Sequence, residues 1–381
     1  MRIAMIGTRG VPARYGGFET AIEEIGKRLS AEGHEVVVYC RGGEDKMDRY
    51  LGMELHHLPA IESKVLETLS HTFLSVLHVL FSRRKPDVAF VFNAANAVFV
   101  PLLWLRRIPT AVHVDGLEWR RAKWGKRGRQ YYRMAESLSV RWADALIADA
   151  DGIAEYYETE FGAPTELIAY GAPIQESPAS DLLAQMGLSP QSYHLVVARF
   201  EPENHVLEIV RGYVASQSKL PLIVVGSAPY SDDYTAAVEA VGRDDRVQLV
   251  GGVWDQDLLD QLYANAASYL HGHSVGGTNP SLLRAMGAGT TVIAWDVSFN
   301  RGVLGGGGRF FDTDAGLVEE LAQVETELAT NRAAWQARAS QLQDRARTKY
   351  DWDDVANSYG QLAHGLAKRS VSRPKLSGRR R

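Results

Sequence analysis

The sequence has a single cysteine, Cys40, so no disulfide can form within the chain. Its apolar flanks in EVVVYC suit a buried structural thiol, and a reducing, cytoplasmic setting is the expectation. Other absences exclude whole chemistries. There is no HExxH, CxxC or GxxxxGK[ST] spacing, which sets aside zinc hydrolysis and P-loop phosphate chemistry. The first strand-to-helix loop lacks GxGxxG, and Cys40 and Arg41 stand where a dinucleotide enzyme places its ribose-binding acid. A nicotinamide oxidoreductase is therefore disfavoured. No charge of one sign dominates: 42 Lys and Arg against 46 Asp and Glu leave a net charge of −4 and no general attraction to nucleic acid. Nor is there an unbroken apolar run of membrane-spanning length. The nearest, DVAFVFNAANAVFVPLLWL, is interrupted by Asn93, Asn96 and Pro101 and reads as a strand, a loop and a short apolar helix. The opening MRIAMIGTRG is cut by Gly7 and Arg9 and does not have the form of a secretory signal, so export is not expected.

What is present is the periodicity of an α/β protein. MRIAMIG, a helical stretch with Phe18, Ala21, Ile22, Ile25 and Leu29 at matching intervals, Gly33, and then EVVVYC predict a βαβ opening. DVAFVF, PTAVHVDG, ADALIADA and TELIAYGA repeat the strand-and-loop pattern, with a helix through YYRMAESLSVRWA. A doubly wound parallel sheet is expected to about residue 172. The register restarts at HLVVARF and continues through PLIVVGS, VQLVGG, SYLHG and TVIAWD, with helices between them. Two Rossmann-like domains are predicted, residues 1–175 and 176–345, joined by PIQESPASD. A helix over 346–367, with Val355, Tyr359 and Leu362 on one face, is expected to cap one of the lobes. Residues 368–381 carry seven Lys or Arg and no acid. They read as a disordered basic tail, whose functional reading is contact with an anionic membrane.

Four stretches concentrate polar and glycine residues. In GTRGVPARYGGFE, Gly16 and Gly17 precede a helix, where missing side chains let a ligand approach N–H groups and the positive dipole end; Arg9, Arg14 and Tyr15 add donors. VHVDGLEWRRAKWG leaves the C-terminal end of a strand, where open α/β sheets bind ligands. There Asp115 and Glu118 are candidate acceptors or proton handlers, His113 alternates with Asp115, and Trp119 and Trp124 suit either a sugar face or the core. In ARFEPENH, Arg199 stands between a strand end and a helix start and suits a diphosphate, with Glu201 as an alternative partner. In HGHSVGGTNPSLLRAMGAG, Ser274, Gly276, Gly277, Thr278 and Asn279 offer amides and side-chain donors to a ligand oxygen, and Pro280 suits the first helical turn. Asp149 and Asp151 read as helix-start residues like Asp255 and Asp312, so no metal ligand is assigned.

In this order on two Rossmann-like lobes, the four stretches resemble the family 4 retaining glycosyltransferases of GT-B fold over about residues 1 to 365. IGTRGVPARYGGFET resembles the bacterial subgroup with rhamnosyltransferase-like N-terminal domains. The resemblance implies two lobes facing a cleft, a terminal helix crossing back to the first lobe, no metal or cofactor, and a dTDP- or UDP-linked sugar as co-substrate. It implies donor binding by Arg199, Asn204, Ser274, Gly276, Gly277, Thr278, Asn279 and Arg284, with Gly16 and Gly17 near the donor phosphates. A glycan or lipid-linked acceptor is assigned to Arg14, Tyr15, His113 and Glu118, and catalytic roles to Arg199 and to Asp115, which stands where many relatives have a histidine. The transfer implied is L-rhamnose from dTDP-rhamnose, with retention, into surface polysaccharide. Two features depart from the family pattern. Gly276 and Arg284 occupy the places of two glutamates eight positions apart, and Asn204 that of a basic residue. Glycine at the first place fits the subgroup, but an arginine cannot accept hydrogen bonds from a ribose. A catalytically silent homologue that binds nucleotide or glycan as a partner protein is the alternative.

Overall fold

The computed structural model describes residues 1–13, 16–42, 47–63, 66–114, 116–121, 124–176, 178–227 and 232–371. Arg14, Tyr15, Asp115 and the tail beyond Val371 lie outside the described residues. The chain divides into two compact units, Met1–Tyr170 with Trp352–Arg381, and Gly171–Asp351.

The first unit is built on β1 (Arg2–Ile6), β2 (Glu35–Arg41), β3 (Arg49–Tyr50), β4 (Met53–Leu58), β5 (Val88–Phe92), β6 (Thr110–His113), β7 (Ala145–Ala148) and β8 (Glu166–Leu167). They form one sheet in the order β3-β4-β2-β1-β5-β6-β7-β8. Neighbours are parallel except β3 with β4, so the sheet is not purely parallel as its periodicity suggested. That hairpin lies at the edge, where Met53 and Leu55 alternate with half-exposed Glu54 and His56. RIAMI and VAFVF are buried at every residue, as central strands covered on both faces must be. Cys40, on β2, is 2% exposed, and burial pushes its thiol pKa up to about 11, which makes it an inert core residue.

The helices of this unit are α1 (Gly17–Ala31), α2 (Glu67–Phe81), α3 (Val100–Trp104), α4 (Lys126–Trp142) and α5 (Asp151–Phe161). The apolar stretch from Asp87 to Leu105 is β5, a 3-10 turn and α3; the Asn93 side chain starts the turn by accepting from Ala95 N at 2.9 Å. Among the described residues no helix is long and apolar enough to cross a membrane.

The second unit carries β9 (His194–Val197), β10 (Leu222–Val225), β11 (Val247–Gly251), β12 (Ser268–His271), β13 (Val292–Trp295) and β14 (Arg309–Phe311). The order β11-β10-β9-β12-β13-β14 is parallel throughout. Its helices are α6 (Val206–Ala215), α7 (Asp232–Val241), α8 (Gln256–Ala264), α9 (Pro280–Gly287), α10 (Ser298–Leu304), α11 (Asp314–Thr330) and α12 (Arg332–Lys349). One core cluster joins Val196, Val224, Leu270 and Ile293 of the sheet to Ile209, Tyr213, Leu317 and Trp335 of the helices. Asp255 caps α8 as its sequence suggests, accepting from Asp257 N and Leu258 N at 3.0 and 3.1 Å. Two other expected starts differ. Thr313, one residue beyond Asp312, caps α11, and Asp151 lies inside the first turn of α5, whose N-cap is Ala150.

The last helix, α13 (Trp352–Ala367), belongs to the first unit and packs beside α1. Val355, Tyr359 and Leu362 are buried along it; Tyr359 meets Phe90 of β5 edge-on at 5.1 Å, and Asp353 pairs with Arg28 Nε at 2.5 Å. A helix separated from this sheet by an entire second unit thus completes its core.

At the C-terminal end of β1 the backbone comes too close to β5 for any side chain. Gly7 has φ +105°, and a Cβ there would stand 2.5 Å from Phe92 O and 2.8 Å from Asn96 Nδ2. Gly7→Ala is expected to lower stability by about 2 kcal/mol or more. Urea denaturation would show this as a lower midpoint with an unchanged slope.

Candidate functional site

The polar loops of both units lie at the C-terminal ends of their strands, where open α/β sheets receive ligands. In the first unit, Gly16 starts α1 at φ +107° with no side-chain cap. Its carbonyl accepts from Thr20 N at 3.3 Å. Two glutamates of α1 hold the loop: Glu19 Oε1 accepts from Arg9 N at 3.0 Å, and Glu23 Oε2 from Ala13 N at 2.7 Å. Glu19 lies against Gly16, and burial raises its pKa although the Arg9 amide and its own N–H act to lower it. A ligand approaching Gly16 and Gly17 therefore meets a carboxylate as well as the helix N–H groups.

His113 ends β6 at 1% exposure, with Nδ1 3.2 Å from Tyr359 Oη and its ring edge-on to Phe18 at 5.1 Å. Burial lowers its pKa to about 3, so it is neutral at physiological pH. Glu118 is buried too, paired with Arg121 Nε at 2.5 Å and accepting from Trp124 Nε1 at 3.2 Å. Both side chains brace the loop from within rather than standing open to solvent. The guanidinium carbons of Arg133 and Arg120 stand 5.0 and 5.2 Å from the centre of the Trp119 ring. Asp115, Arg14 and Tyr15 belong to these same loops but lie outside the described residues.

One carboxyl of this region escaped the sequence reading because it sits in mid-helix without a motif. Glu136 of α4 is 4% exposed and accepts from Tyr156 Oη at 2.9 Å; burial raises its pKa to about 7.

In the second unit, the loops after β9 and β12 are locked together by Asn204. Its Nδ2 donates to Arg199 O at 2.8 Å, so Oδ1 must accept, and His273 Nδ1 donates to it at 2.7 Å. In a neutral ring that places the proton of His273 on Nδ1, and Nε2 faces Gly276. Ser274 donates from N and from Oγ to Glu203 O at 2.9 and 3.1 Å. His205, at φ +47°, donates from Nδ1 to Gly272 O at 2.7 Å and stacks on Trp295 at 3.7 Å. Asn300 closes the set, donating to His273 O and Trp295 O, each at 2.9 Å. None of His205, His273, Trp295 and Asn300 had a sequence signal beyond its place beside a motif.

Arg199 lies on this platform with its side chain one-third exposed and Nη2 3.3 Å from Glu201 Oε2. Gly276 has φ +130°, Gly277 and Thr278 are buried, and Asn279 caps α9 by accepting from Ser281 N at 2.9 Å. Pro280 opens the helix as expected. Beneath, Ser281 Oγ meets the hydroxyls of Tyr263 and Tyr269, the latter at 2.7 Å, and donates to Val197 O at 3.2 Å. Among the described residues, no cluster of three His, Cys, Asp or Glu could hold a metal ion.

Arg284 turns to α8. Nε meets Asp260 Oδ1 at 2.7 Å, Nη1 donates to Gln256 Oε1 at 3.0 Å and Nη2 to Gln256 O at 3.3 Å, with the guanidinium 5.6 Å from the Tyr263 ring centre. The cation is held by a neighbouring helix on three sides. Of its two conceivable roles, an extra ligand contact or an ion pair, the structure contains the ion pair.

Two Rossmann-like units, each on a mainly parallel sheet with polar loops at the strand ends, define the GT-B class of fold. Residues 16–171 match the family described as "Glycosyl transferase 4-like domain" and residues 187–348 that described as "Glycosyl transferases group 1". The chain belongs, by these two domains, to the family 4 type of glycosyltransferase. The chain is 29% identical over 168 residues to O-antigen chain mannosyltransferase B of Escherichia coli, a match spanning 42% of each protein. Among solved structures, sucrose-phosphate synthase from Thermosynechococcus elongatus superposes with a TM-score of 0.79 at 20% identity, covering 97% of this chain and 99% of that one. HepE from Anabaena, in complex with UDP and glucose, gives 0.74 at 19% identity, covering 97% and 100%. These likenesses establish the fold.

Two predictions follow from the charges. Glu136→Gln removes a carboxyl whose folded pKa lies above its unfolded value, so the folded state binds the extra proton. The wild type loses stability as pH rises from about 4.5 through 7, and the variant does not. At pH 8 the variant is expected to be more stable by ~2 kcal/mol, the gap closing towards pH 4; paired urea titrations across pH measure it. For Arg284→Glu, like charges would face each other at α8 and α9 and cost ~1 kcal/mol, Asp260 being partly exposed. The added change Asp260→Arg should restore the thermal midpoint.

Proposed function

We propose that this chain transfers a sugar from a nucleoside-diphosphate donor to a glycan or lipid-linked acceptor in surface polysaccharide synthesis, with retention of anomeric configuration. The observation that carries this reading is the locked pair of loops around Asn204, which presents Arg199, His273 and the amide-rich Gly276–Thr278 segment at the strand ends of a group 1 domain. A diphosphate leaving group needs preorganised positive charge, and Arg199 would supply it on a platform fixed by six side-chain hydrogen bonds. Because that charge comes from an arginine and backbone amides, the transfer needs no divalent metal. His273 Nε2 would accept from a sugar hydroxyl, and Asp115 would orient the sugar or acceptor. Gly16 and Gly17 would approach the donor phosphates, and Arg14, Tyr15, His113 and Glu118 would serve the acceptor.

The UDP in the HepE structure supports a nucleoside diphosphate as the donor class, and the O-antigen relative supports a polysaccharide product. dTDP-L-rhamnose is the donor we put first, on the likeness of the N-terminal stretch, and the site of work is the cytoplasmic face of a membrane. A silent homologue that binds without turnover remains the competing reading, because Arg284, bound to α8, offers no acceptor for a ribose. The deciding experiment pairs a thermal-shift screen of dTDP, UDP and GDP sugars with a donor-consumption assay in excess chelator. Binding with turnover supports transfer; binding without turnover supports the silent homologue; stabilisation by no nucleotide sinks both. Arg199→Ala should lower kcat/KM by about 100-fold or more while leaving α9 and its cap folded.

A further inference from the structure

The end of the first unit opposite its candidate site, where the parallel strands begin, carries a surface that the transfer reaction does not use. Phe81, the last residue of α2, is 82% exposed, and Leu105, just past α3, is 74% exposed. These are the two most exposed large apolar side chains among the described residues. The segments that carry them are joined at the surface, because Arg106 Nη1 donates to Leu80 O and, at 3.2 Å, to Ser82 O, tying the chain just past α3 to the end of α2. Cations surround it. Arg83, Arg84 and Lys85 follow Phe81 and Arg107 follows Leu105, all exposed. Arg84 is paired with Glu35 at 2.8 Å, whereas Arg83, Lys85 and Arg107 make no ion pair with described residues.

The same segment forms one wall of a 380 Å³ cavity, lined by Trp104, Arg107, Asp144, Leu366, Arg369 and Val371. Two of these are arginines. The one carboxylate, Asp144, is already accepting from Thr110 N at 2.9 Å. Val371 is also where the basic tail begins: the next ten residues contain five Lys or Arg and no acid, and are covalently tethered to this end of the unit.

We propose that this end of the first unit is a docking surface for an anionic lipid bilayer, with Phe81 and Leu105 entering the headgroup region and the surrounding cations meeting lipid phosphates. Two isolated apolar side chains are too little for a protein interface, which buries about 800 Å² per partner and is depleted of lysine at its core. They suit shallow insertion into a fluid surface, where each Lys or Arg multiplies partitioning about five-fold at low salt. The cavity between Arg107 and Arg369 then receives a headgroup. The surface is independent of the transfer reading, since none of its residues lies at the strand ends that carry the candidate site.

The test is co-sedimentation of the full chain with vesicles. Wild-type protein is expected to bind vesicles of equal parts phosphatidylglycerol and phosphatidylcholine, to ignore pure phosphatidylcholine, and to be released by salt. Phe81→Ser with Leu105→Ser, and separately Arg83→Glu with Lys85→Glu, should each lower partitioning about ten-fold or more at an unchanged thermal midpoint. Phe81→Trp should show a blue-shifted emission on adding anionic vesicles. Three results would overturn the proposal: no preference of wild type for anionic vesicles; wild-type partitioning by both pole variants while removal of residues 372–381 abolishes it; or a dimer that Phe81→Ser with Leu105→Ser converts to monomer, which assigns the patch to a second copy.

Discussion

Asn204 is a neutral side chain with two N–H donors and one acceptor oxygen, and the loops after β9 and β12 depend on how it divides them. Giving Nδ2 to the Arg199 carbonyl leaves Oδ1 for His273, and this choice sets the ring's tautomer, the path of the loop after β12 and the place of Gly276. A lysine here could contribute charge but could not accept from the histidine. The amide therefore exchanges a positive charge for rigidity, and in the proposed reaction the stabilisation of a diphosphate would fall to Arg199. His205 adds to the same lock from the other side through Gly272 and Trp295. Such interlocking matters for a site that must present amides and a guanidinium in fixed positions, because a preorganised donor costs no reorganisation when charge develops.

The GT-B fold was legible because buried parallel strands are continuous apolar runs and the helices between them are amphipathic; RIAMI, VAFVF and LIVV could hardly be anything else. What escaped was short or at an edge. The β3–β4 hairpin carries Arg49, Glu54, His56 and His57 on an exposed border, and β14 has only three residues after a run of four glycines. Helix starts were legible where an acid stands at the cap, as Asp255 does, and misleading where a neighbouring residue takes that place, Ala150 by its backbone alone and Thr313 through its hydroxyl. Of the residues named from motifs, Arg199, Asn204, Ser274, Gly276, Gly277 and Thr278 lie in the segments that follow β9 and β12. Their partners do not announce themselves, since His205, Trp295 and Asn300 act through contacts that join segments far apart in sequence.

Arg284 shows how a local anomaly is absorbed. An arginine in the second half of α9, on the helix that follows a glycine-rich polar loop, reads as an additional ligand contact. Sterically it has another option: α8 runs alongside, and Gln256 and Asp260, one turn apart, present a carboxylate, an amide oxygen and a backbone oxygen to a planar fork of donors. That satisfies the guanidinium without any ligand. It also means that restoring a carboxylate at this position alone sets it against Asp260, so the two residues form one unit and a substitution at either must be judged with the other.

The first unit divides its two ends between different physical tasks. At the strand C-termini it buries polar side chains, His113 against Tyr359 and Glu118 against Arg121, so that loops of glycine and aromatic residues keep a defined shape. At the strand N-termini it does the reverse, leaving Phe81 and Leu105 in solvent beside Arg83, Lys85 and Arg107, which make no ion pair with described residues. An exposed phenylalanine in a soluble setting gains nothing for the fold, and clustering arginines around it adds repulsion. Both costs vanish at an anionic surface, where the apolar groups leave water and the cations find phosphates. If the acceptor is lipid-linked, a unit held by that end would stand with its candidate site directed away from the bilayer, so the sugar-accepting end of the lipid carrier, rather than its tail, is what must reach the loops around Gly16 and Glu118.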